Sequence, residues 1–346
     1  YRELYHCPNM KTEVYTVYSN ISTNTAQRAP GHVEGTFGLE QAMDQLAERL
    51  GMDPITLRLK NYALKDQVRN LPYSSKALDQ CYQQGARAIG WKDKKKKPGE
   101  GESGPRKRGI GMASQIWGGG GGPPAFALVK IHPDGTAQVL TGTQDLGTGS
   151  KVVFCQIAAE ELGIRPEEVS IILGDTATTP YAPTSGGSRT VPSVGPAVRV
   201  AAASAKRQLL DLAAPLLKAR PEELTIKEGV IYFQTDPSRR ISLKEAAKEM
   251  GRNAILGMGS RSPNPPNAAI NTFGAQYAEV EVDTETGEVR VLRVDSNHDA
   301  GRVINPMTLN NQIEGGVTQG IGYGLLEECV WDGGLGVLVN ANLHDY

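Results

Sequence analysis

Residues 136–162 read TAQVLTGTQDLGTGSKVVFCQIAAEEL, and this stretch decides the fold class. Residues 136–141 alternate as a strand and pair with residues 125–132 through the turn at residues 133–135. Residues 152–162 are predicted to be a helix that stops at Gly163. The glycine-rich turn between strand and helix, residues 142–150, is expected to present unpaired N–H groups and the positive helix end to a phosphate. It is not a P-loop, because the GxxxxGK[ST] string is absent.

The remaining periodic segments predict helices and strands that alternate without a simple βαβ repeat. Leu39 to Leu50 carries an amphipathic helical stripe, and Asp53 followed by Pro54 gives an N-cap and first-turn proline for a second helix. The other predicted elements are an alanine- and leucine-rich helix at residues 198–217 and a hairpin with strands at residues 276–282 and 288–294. The fold class is therefore α+β, with mixed sheets and packed helices.

Residues 91–108, WKDKKKKPGEGESGPRKR, have no apolar periodicity after the tryptophan and predict a solvated connector. The basic run is also able to bind anions. We expect three regions: the end of a first lobe with the helical hairpin over residues 1–92, a linker over residues 93–108, and a C-terminally incomplete second lobe over residues 109–346.

Composition excludes several classes of function. The net charge of −1 gives no basic field for nucleic acid or an anionic membrane. No apolar run approaches the roughly 20 residues of a membrane span. The four cysteines are far apart and fit reduced thiols better than a zinc or iron–sulfur site. The five histidines have no metal-binding spacing, so we expect no side-chain metal ligands.

Glycine is enriched, at 40 of 346 residues, and it is concentrated in patches. The patches lie within residues 118–122, 142–150, 184–190 and 310–320, the last resembling a capped helix start. Such loops turn backbone N–H groups toward oxyanions, although a flexible linker or ordinary helix capping explains any one of them equally well. Together the four patches favour one large polyanionic ligand.

Several strings, in the same order, resemble the large subunit of the xanthine dehydrogenase, aldehyde oxidase and carbon monoxide dehydrogenase family. They are NTAQRAPG at residues 24–31, GLEQAMD at 38–44, GMDP at 51–54, the 142–150 and 185–190 strings, DAG at 299–301 and QIEG at 312–315. The resemblance covers nearly the whole chain. It implies a C-terminal portion of a two-lobed molybdenum-cofactor-binding fold, with the cofactor held by loops from both lobes.

The resemblance also implies roles for individual residues. Arg28 is the catalytic candidate beside the molybdenum, and the pterin holds the metal rather than side chains. The Gly118 to Gly122 loop suggests a pyrophosphate, and hence the cytosine dinucleotide form of molybdopterin. The cofactor-binding candidates are Ala29, Gly118, Gly119, Gly120, Gln144, Leu146, Gly147, Thr148, Ser185, Gly187, Ser188, Gln312 and Glu314.

The family reaction is the hydroxylation of aldehydes or electron-poor N-heterocycles with water as the oxygen source. The family's glutamate base lies in a Gly-Val-Gly-Glu string that is absent here, so we expect this chain alone to be incomplete and inactive. Iron–sulfur clusters and FAD are expected on other subunits, or on remaining parts of the large subunit, in a dimer of complexes. A cytoplasmic location is favoured over a periplasmic one.

Three further readings stay open. Pro30 occupies the position where purine-oxidising relatives have a phenylalanine, and the loop lacks the cysteine of carbon monoxide dehydrogenases, which favours aldehydes or another heterocycle. A non-catalytic cofactor-binding fragment or scaffold lobe of a split large subunit is the first alternative. A nucleotide-binding phosphotransferase that uses the glycine loops is the second. His32 neighbours the Arg28 loop and is the one histidine singled out for testing.

Overall fold

The computed structural model describes residues 4–21, 26–94, 99–251 and 253–344. Asn24 and Thr25 of the first family string and residues 95–98 of the expected linker lie outside this part. The α+β prediction is confirmed. The helices are α1 (His32–Arg49), α2 (Pro54–Lys60), α3 (Leu78–Ile89), α4 (Trp91–Lys94), α5 (Ser150–Leu162), α6 (Thr190–Leu216), α7 (Leu243–Lys248) and α8 (Pro306–Leu325). The strands are β1 (Lys65–Asp66), β2 (Leu71–Pro72), β3 (Arg106–Gly118), β4 (Phe126–Ile131), β5 (Ala137–Thr141), β6 (Val169–Leu173), β7 (Leu224–Lys227), β8 (Val230–Phe233), β9 (Asp236–Ser242), β10 (Ile255–Ser260), β11 (Asn271–Asp283) and β12 (Val289–Asp299).

The chain divides into two compact units. The first consists of residues 1–118, 266–302 and 309–346, and the second of residues 119–265 and 303–308. These limits differ from the expected lobes, whose boundaries at residues 92 and 109 stay a prediction. Strand β3 begins at Arg106, inside the expected linker, because Arg106 to Arg108 pair with the end of β11.

The first unit is built on an antiparallel sheet with the order β12-β11-β3. Met112, Ser114 and Ile116 are buried on one face of β3; helix α1 packs against β3, and helix α3 packs against β11 and β12. Trp91 is also buried rather than solvated, and its indole N–H donates to Asp53 Oδ2 at 2.7 Å. Asp53 caps α2, as predicted, by accepting from the Thr56 N–H.

A buried ion pair fixes the position of α1 in the first unit. Arg58 of α2 is fully buried, and its Nε donates to Glu40 Oε2 of α1 at 3.0 Å. The same oxygen accepts from the Ser114 N–H of β3 at 2.7 Å, and the Tyr5 hydroxyl donates to Glu40 Oε1. Burial is the main cause that raises the pKa of Tyr5, so its hydroxyl stays protonated and donates. A charge pair this deep depends on every one of these hydrogen bonds.

The second unit has a four-stranded sheet with the order β10-β4-β5-β6 and a separate antiparallel sheet β7-β8-β9. The β4–β5 hairpin is confirmed, and β6 then joins β5 in parallel after α5. Helix α5 confirms the prediction for residues 152–162 and ends at Gly163, which has a φ of 70°. The core is rich in alanine because α6 lies very close to the sheet.

Two glycines of β10 allow that close approach. A Cβ on Gly257 would lie 2.0 Å from the Ala201 carbonyl oxygen of α6, and one on Gly259 would lie 2.1 Å from the Ala197 oxygen. No side chain fits at these distances. The backbone of α6 is therefore seated directly on the strand.

Helix α6 begins at Thr190, eight residues before the predicted start. The added turns contain Pro196, and an internal proline removes an N–H and leaves the carbonyl four residues earlier without its partner. Here that carbonyl belongs to Pro192, and Arg261 Nε donates to it at 2.9 Å. The arginine replaces the missing donor, so the helix continues through the proline.

Helix α8 also begins earlier than predicted. Asn305 Oδ1 accepts from the Thr308 N–H at 3.1 Å, and Pro306 occupies the first helical position. Residues 310–320, expected as a helix start, are instead the interior of α8. No helix within the described ranges is long and apolar enough to span a membrane.

Candidate functional site

Arg28 and Gln312 are brought together in the first unit although 284 residues separate them. Arg28 Nη2 donates to the Gln312 carbonyl oxygen at 2.7 Å and to its Oε1 at 2.9 Å. A Cβ on Gly315, one turn further along α8, would lie 3.3 Å from Arg28 Nη1. A glycine of the helix therefore makes room for the guanidinium, which α8 holds in one orientation. Glu314 is exposed on the same helix.

The backbone after Arg28 turns sharply before α1. Ala29 has a φ of 55°, which is uncommon for a residue with a side chain, and Gly31 follows with a φ of 72°. The Ala29 carbonyl accepts from the His32 N–H at 3.0 Å. His32 in turn contacts the Trp117 ring edge-on, with 4.7 Å between centroids. Trp117 leads directly to Gly118, where a Cβ would meet no atom within 4 Å.

Within the second unit, the rest of that glycine loop packs against the start of α6. A Cβ on Gly121 would lie 2.5 Å from Ser193 Oγ, and the Gly122 N–H donates to the same hydroxyl at 3.1 Å. Asn264 Nδ2 donates to the carbonyls of Gly120 and Gly121 at 3.1 and 2.8 Å. These contacts hold the loop and explain Gly121 by packing. The expected binding roles of Gly118, Gly119 and Gly120 stay a prediction.

The turn at residues 142–150 binds a carboxylate of its own. Asp145 Oδ1 accepts from the N–H groups of Gly147 and Gly149 at 2.9 and 3.1 Å, and Oδ2 accepts from the Lys151 N–H at 3.0 Å. Burial opposes ionisation of this carboxyl, but the three N–H donors outweigh it and hold the pKa of Asp145 below its ordinary value. The prediction that these N–H groups are unpaired is therefore wrong.

Other groups of this turn remain accessible. Leu146, Gly147 and Thr148 are exposed, and a Cβ on Gly147 would meet no atom within 4 Å. Ser150, the first residue of α5, is buried, and its hydroxyl has no hydrogen-bond partner among the described residues. Thr308 fills the space over Gly149, where a Cβ would lie 2.5 Å from its Cγ2.

Gln144 connects this turn to the loop before α6. Its Nε2 donates to the Gly142 carbonyl at 2.9 Å, and its Oε1 accepts from the Ser185 N–H at 3.0 Å. Two segments that the sequence analysis singled out are thus joined by one amide. Gln144 therefore connects the two loops through hydrogen bonds within the protein.

The start of α6 is a polar, open surface. Ser185 and Thr190 share a hydroxyl–hydroxyl hydrogen bond at 2.8 Å, and Arg189 Nε donates to the Thr184 carbonyl at 3.3 Å. Gly187 and Ser188 are exposed and left-handed, with φ values of 61° and 58°. In the part of the chain that is described, no side chain caps this helix; Pro192 has no N–H group and the Ser193 N–H donates to the Arg189 carbonyl at 3.0 Å, which leaves the N–H groups of Thr190 and Val191 as candidate donors to an anion.

Two models of the molybdopterin cofactor-binding domain match the chain, one over residues 84–346 and the other over residues 1–62. The chain belongs to the molybdopterin cofactor-binding family. The resemblance to the large subunits of xanthine dehydrogenases and aldehyde oxidases is thereby confirmed.

Relatives with known names agree with this family. The aldehyde oxidoreductase molybdenum-binding subunit of Escherichia coli O157:H7 is 32% identical over 99% of this chain and 46% of its own length. The xanthine dehydrogenase molybdenum-binding subunit of the same organism is 31% identical over 96% of this chain and 45% of its own length. The chain therefore spans less than half the length of these relatives.

Solved molybdenum enzymes share the fold. Quinoline 2-oxidoreductase from Pseudomonas putida 86 matches with a TM-score of 0.79 and 25% identity, over 90% of this chain and 42% of that one. Carbon monoxide dehydrogenase from Oligotropha carboxidovorans matches with a TM-score of 0.78 and 26% identity, over 91% and 42%.

The residues present fit a flat heterocycle that carries phosphate. The start of α6 offers N–H groups, two hydroxyls and one arginine, and a Cβ on Gly186 or Gly187 would meet no atom within 4 Å. Within the described ranges, no three acidic, histidine or cysteine side chains gather into a metal-binding group.

Proposed function

We propose that this chain is the molybdopterin-binding part of an oxidoreductase that hydroxylates aldehydes or N-heterocycles with water as the oxygen source. The pairing of Arg28 with Gln312, in a chain of the molybdopterin cofactor-binding family, carries the proposal. The names of an aldehyde oxidoreductase subunit and a quinoline oxidoreductase among the relatives support the two substrate classes.

Arg28 supplies a fixed positive charge beside the reacting centre in this proposal. Its guanidinium is exposed, yet α8 holds it through two hydrogen bonds to Gln312. A charge held in place before the reaction stabilises developing negative charge without a cost in reorganisation. The Gln312 amide nitrogen is the candidate donor to the pterin, because its Oε1 already accepts from Arg28.

The phosphate end of the cofactor lies at the start of α6. Ser185 and Thr190 bond each other and leave one hydroxyl hydrogen for the ligand, Arg189 offers a cation, and the N–H groups of Thr190 and Val191 are further candidate donors. From the family resemblance we also assign Gln144, Leu146, Gly147, Thr148, Gly187 and Ser188 to cofactor binding. Ser150 contributes a buried hydroxyl that otherwise lacks a partner among the described residues.

The cofactor form in this proposal is the cytosine dinucleotide. Its basis is the glycine string at residues 118–122, whose first residue has open space above it. A dinucleotide cofactor is longer than molybdopterin alone and carries a second phosphate. In this proposal the backbone of residues 118–122 binds that phosphate, in addition to the start of α6. Nucleotide analysis after acid release answers this point separately, because only the dinucleotide form yields CMP.

When bound, the cofactor supplies the two-electron redox centre of the reaction. This chain binds and orients it, and we expect partner subunits or the rest of a large subunit to carry iron–sulfur clusters and FAD. Among the relatives, one is named as a subunit of a 6-hydroxypseudooxynicotine dehydrogenase complex. Because this chain spans less than half of such relatives, activity, substrate and partners are proposals for the whole enzyme.

The test is molybdenum and nucleotide analysis of the purified protein and its Arg28→Ala variant, with Arg49→Ala as a control that removes an exposed arginine from the end of α1. We expect molybdenum and pterin in equal amounts and CMP after acid release. Molybdenum and pterin should both be lost in Arg28→Ala and retained in Arg49→Ala. Thermal stabilisation by ATP in a molybdenum-free protein would instead favour a nucleotide-binding function.

A further inference from the structure

His298 is the centre of a polar cluster on the sheet of the first unit. It lies near the end of β12, directly opposite Gly274 of β11, which in turn pairs with Gln115 of β3. Gln276 and Ser296 form the adjacent pair on the same face. The cluster therefore spans all three strands of the sheet.

Amide nitrogens lie near both nitrogens of the imidazole. Gln115 Nε2 lies 2.8 Å from His298 Nδ1, and Gln276 Nε2 lies 3.3 Å from His298 Nε2. Ser296 Oγ lies 3.0 Å from the same Nε2, and its hydroxyl donates to Gln276 Oε1. The shorter contact, from Gln115, makes Nδ1 the acceptor in the neutral imidazole, with the Nε2 proton toward Ser296 Oγ.

Gly274 is required for this arrangement. A Cβ at this position would lie 2.6 Å from Gln115 Nε2 and 3.1 Å from its Cγ. The Gln115 side chain thus crosses the central strand at the one residue that has no side chain. This explains why the long amide of β3 reaches a histidine two strands away.

The two strand ends joined by the cluster lead to both parts of the Arg28 site. Two residues after Gln115, β3 reaches Trp117, which contacts His32, and then Gly118. After His298, the chain runs through Asp299 toward α8, which carries Gln312. Asp299, the residue after His298, is also held in place, because its Oδ2 accepts from the Ala77 N–H at 2.7 Å on the opposite face of the sheet.

We propose that neutral His298 is a positioning residue that holds the Gln115–Gly118 and His298–Gly301 segments in place, and that its protonation releases them. A protonated imidazole has two donors, so Nδ1 would face the Gln115 amide hydrogen and this hydrogen bond would break. The inference that these segments serve a cofactor rests on the proposed function.

The surroundings of the imidazole favour the neutral form. The groups that contact it are two amides and a hydroxyl, and the neighbouring carboxyls of β12, Asp295 and Asp299, alternate to the opposite face. Burial lowers the pKa of His298. The cluster is therefore intact at neutral pH, and it is lost as pH falls through the lowered pKa of His298.

The experiment measures amide hydrogen exchange at residues 115–118 and 298–301 from about pH 7.5 to about pH 5, where histidine titrates. It compares the wild type, His298→Gln and His298→Ala, after correction for the intrinsic exchange rate. Glutamine replaces one acceptor and one donor and never titrates, so it is the rescuing variant. His132→Gln, in the β4–β5 turn, is the control.

In the wild type we expect protection at both segments to fall about tenfold in acid, a change of ~1.4 kcal/mol. His298→Gln stays protected across the range, His298→Ala is unprotected throughout, and His132→Gln follows the wild type. An equal acid loss in His298→Gln, or full protection in His298→Ala, overturns the inference. Molybdenum content, measured on the same samples at pH 7.5, decides the proposed function independently of these exchange rates.

Discussion

Helices α5 and α6 both begin after glycine-rich loops in the second unit, but only one of them is open to an anion. The N–H groups before and within the first turn of α5 are bound by the Asp145 carboxylate. At the start of α6 no side chain caps the helix among the described residues, and the nearby Arg189 donates to the Thr184 carbonyl. A glycine-rich loop before a helix is therefore a candidate phosphate site only where the protein does not itself supply the anion.

The largest effect is expected from a change that displaces α6. Gly259→Val would force a side chain into the Ala197 carbonyl, and overpacking of this kind costs about 1–3 kcal/mol or more. Urea unfolding measures the loss. Gly111→Val, on β3 of the first unit, has open space around its Cβ and is the control. Equal losses in the two variants would contradict a close seating of α6.

A smaller loss is expected when α5 loses its internal anion. Asp145→Ala leaves three N–H groups without their acceptor and should cost about 1–2 kcal/mol, as for other helix-capping residues. Because the vacated turn adds an anion site, added sulfate should stabilise the variant more than it stabilises the wild type. Thermal unfolding with and without sulfate detects this, and Asp134→Ala serves as the control for losing a turn aspartate.

The α6 start should lose affinity, rather than stability, when its cation is removed. Arg189→Ala is expected to weaken phosphate or cofactor binding by about 1 kcal/mol, roughly fivefold. Arg199→Ala removes an exposed arginine further along α6 and should leave binding unchanged. Equal weakening in both variants would mean that net charge, not position, determines the affinity.

The smallest effect concerns pH. Because the folded pKa of Asp145 lies below its ordinary value, its contribution to stability is present above that value and is lost as pH falls below about 4. Acid unfolding of Asp145→Asn should lack this component, since an amide does not titrate. A midpoint in acid that is identical for the wild type and the variant would argue against an ionised cap.

The sequence analysis predicted elements whose signals are local. The β4–β5 hairpin, α5 with its end at Gly163 and the capped start of α2 are each specified by adjacent residues. The start of α6 was missed because Pro196 is compensated by Arg261, which is 65 positions later. Such a rescue depends on tertiary structure and leaves no local trace.

The candidate site was predicted through family resemblance more than through physics. The Arg28–Gln312 contact joins residues 284 apart, and no periodicity reports it. The role of Asp145 did have a local signal, because aspartate before Gly-x-Gly readily accepts from the following N–H groups. The glycines of that turn predicted unpaired N–H groups, but Asp145 of the same turn accepts from them.

The most direct test is the position of the phosphate in a crystal structure of the cofactor-loaded protein. The account predicts phosphate oxygens within about 3.2 Å of Ser185 Oγ, Thr190 Oγ1 or the first N–H groups of α6. It also predicts that Asp145 still accepts from Gly147, Gly149 and Lys151. A phosphate bound at those three N–H groups, with the Asp145 carboxylate displaced, would contradict it.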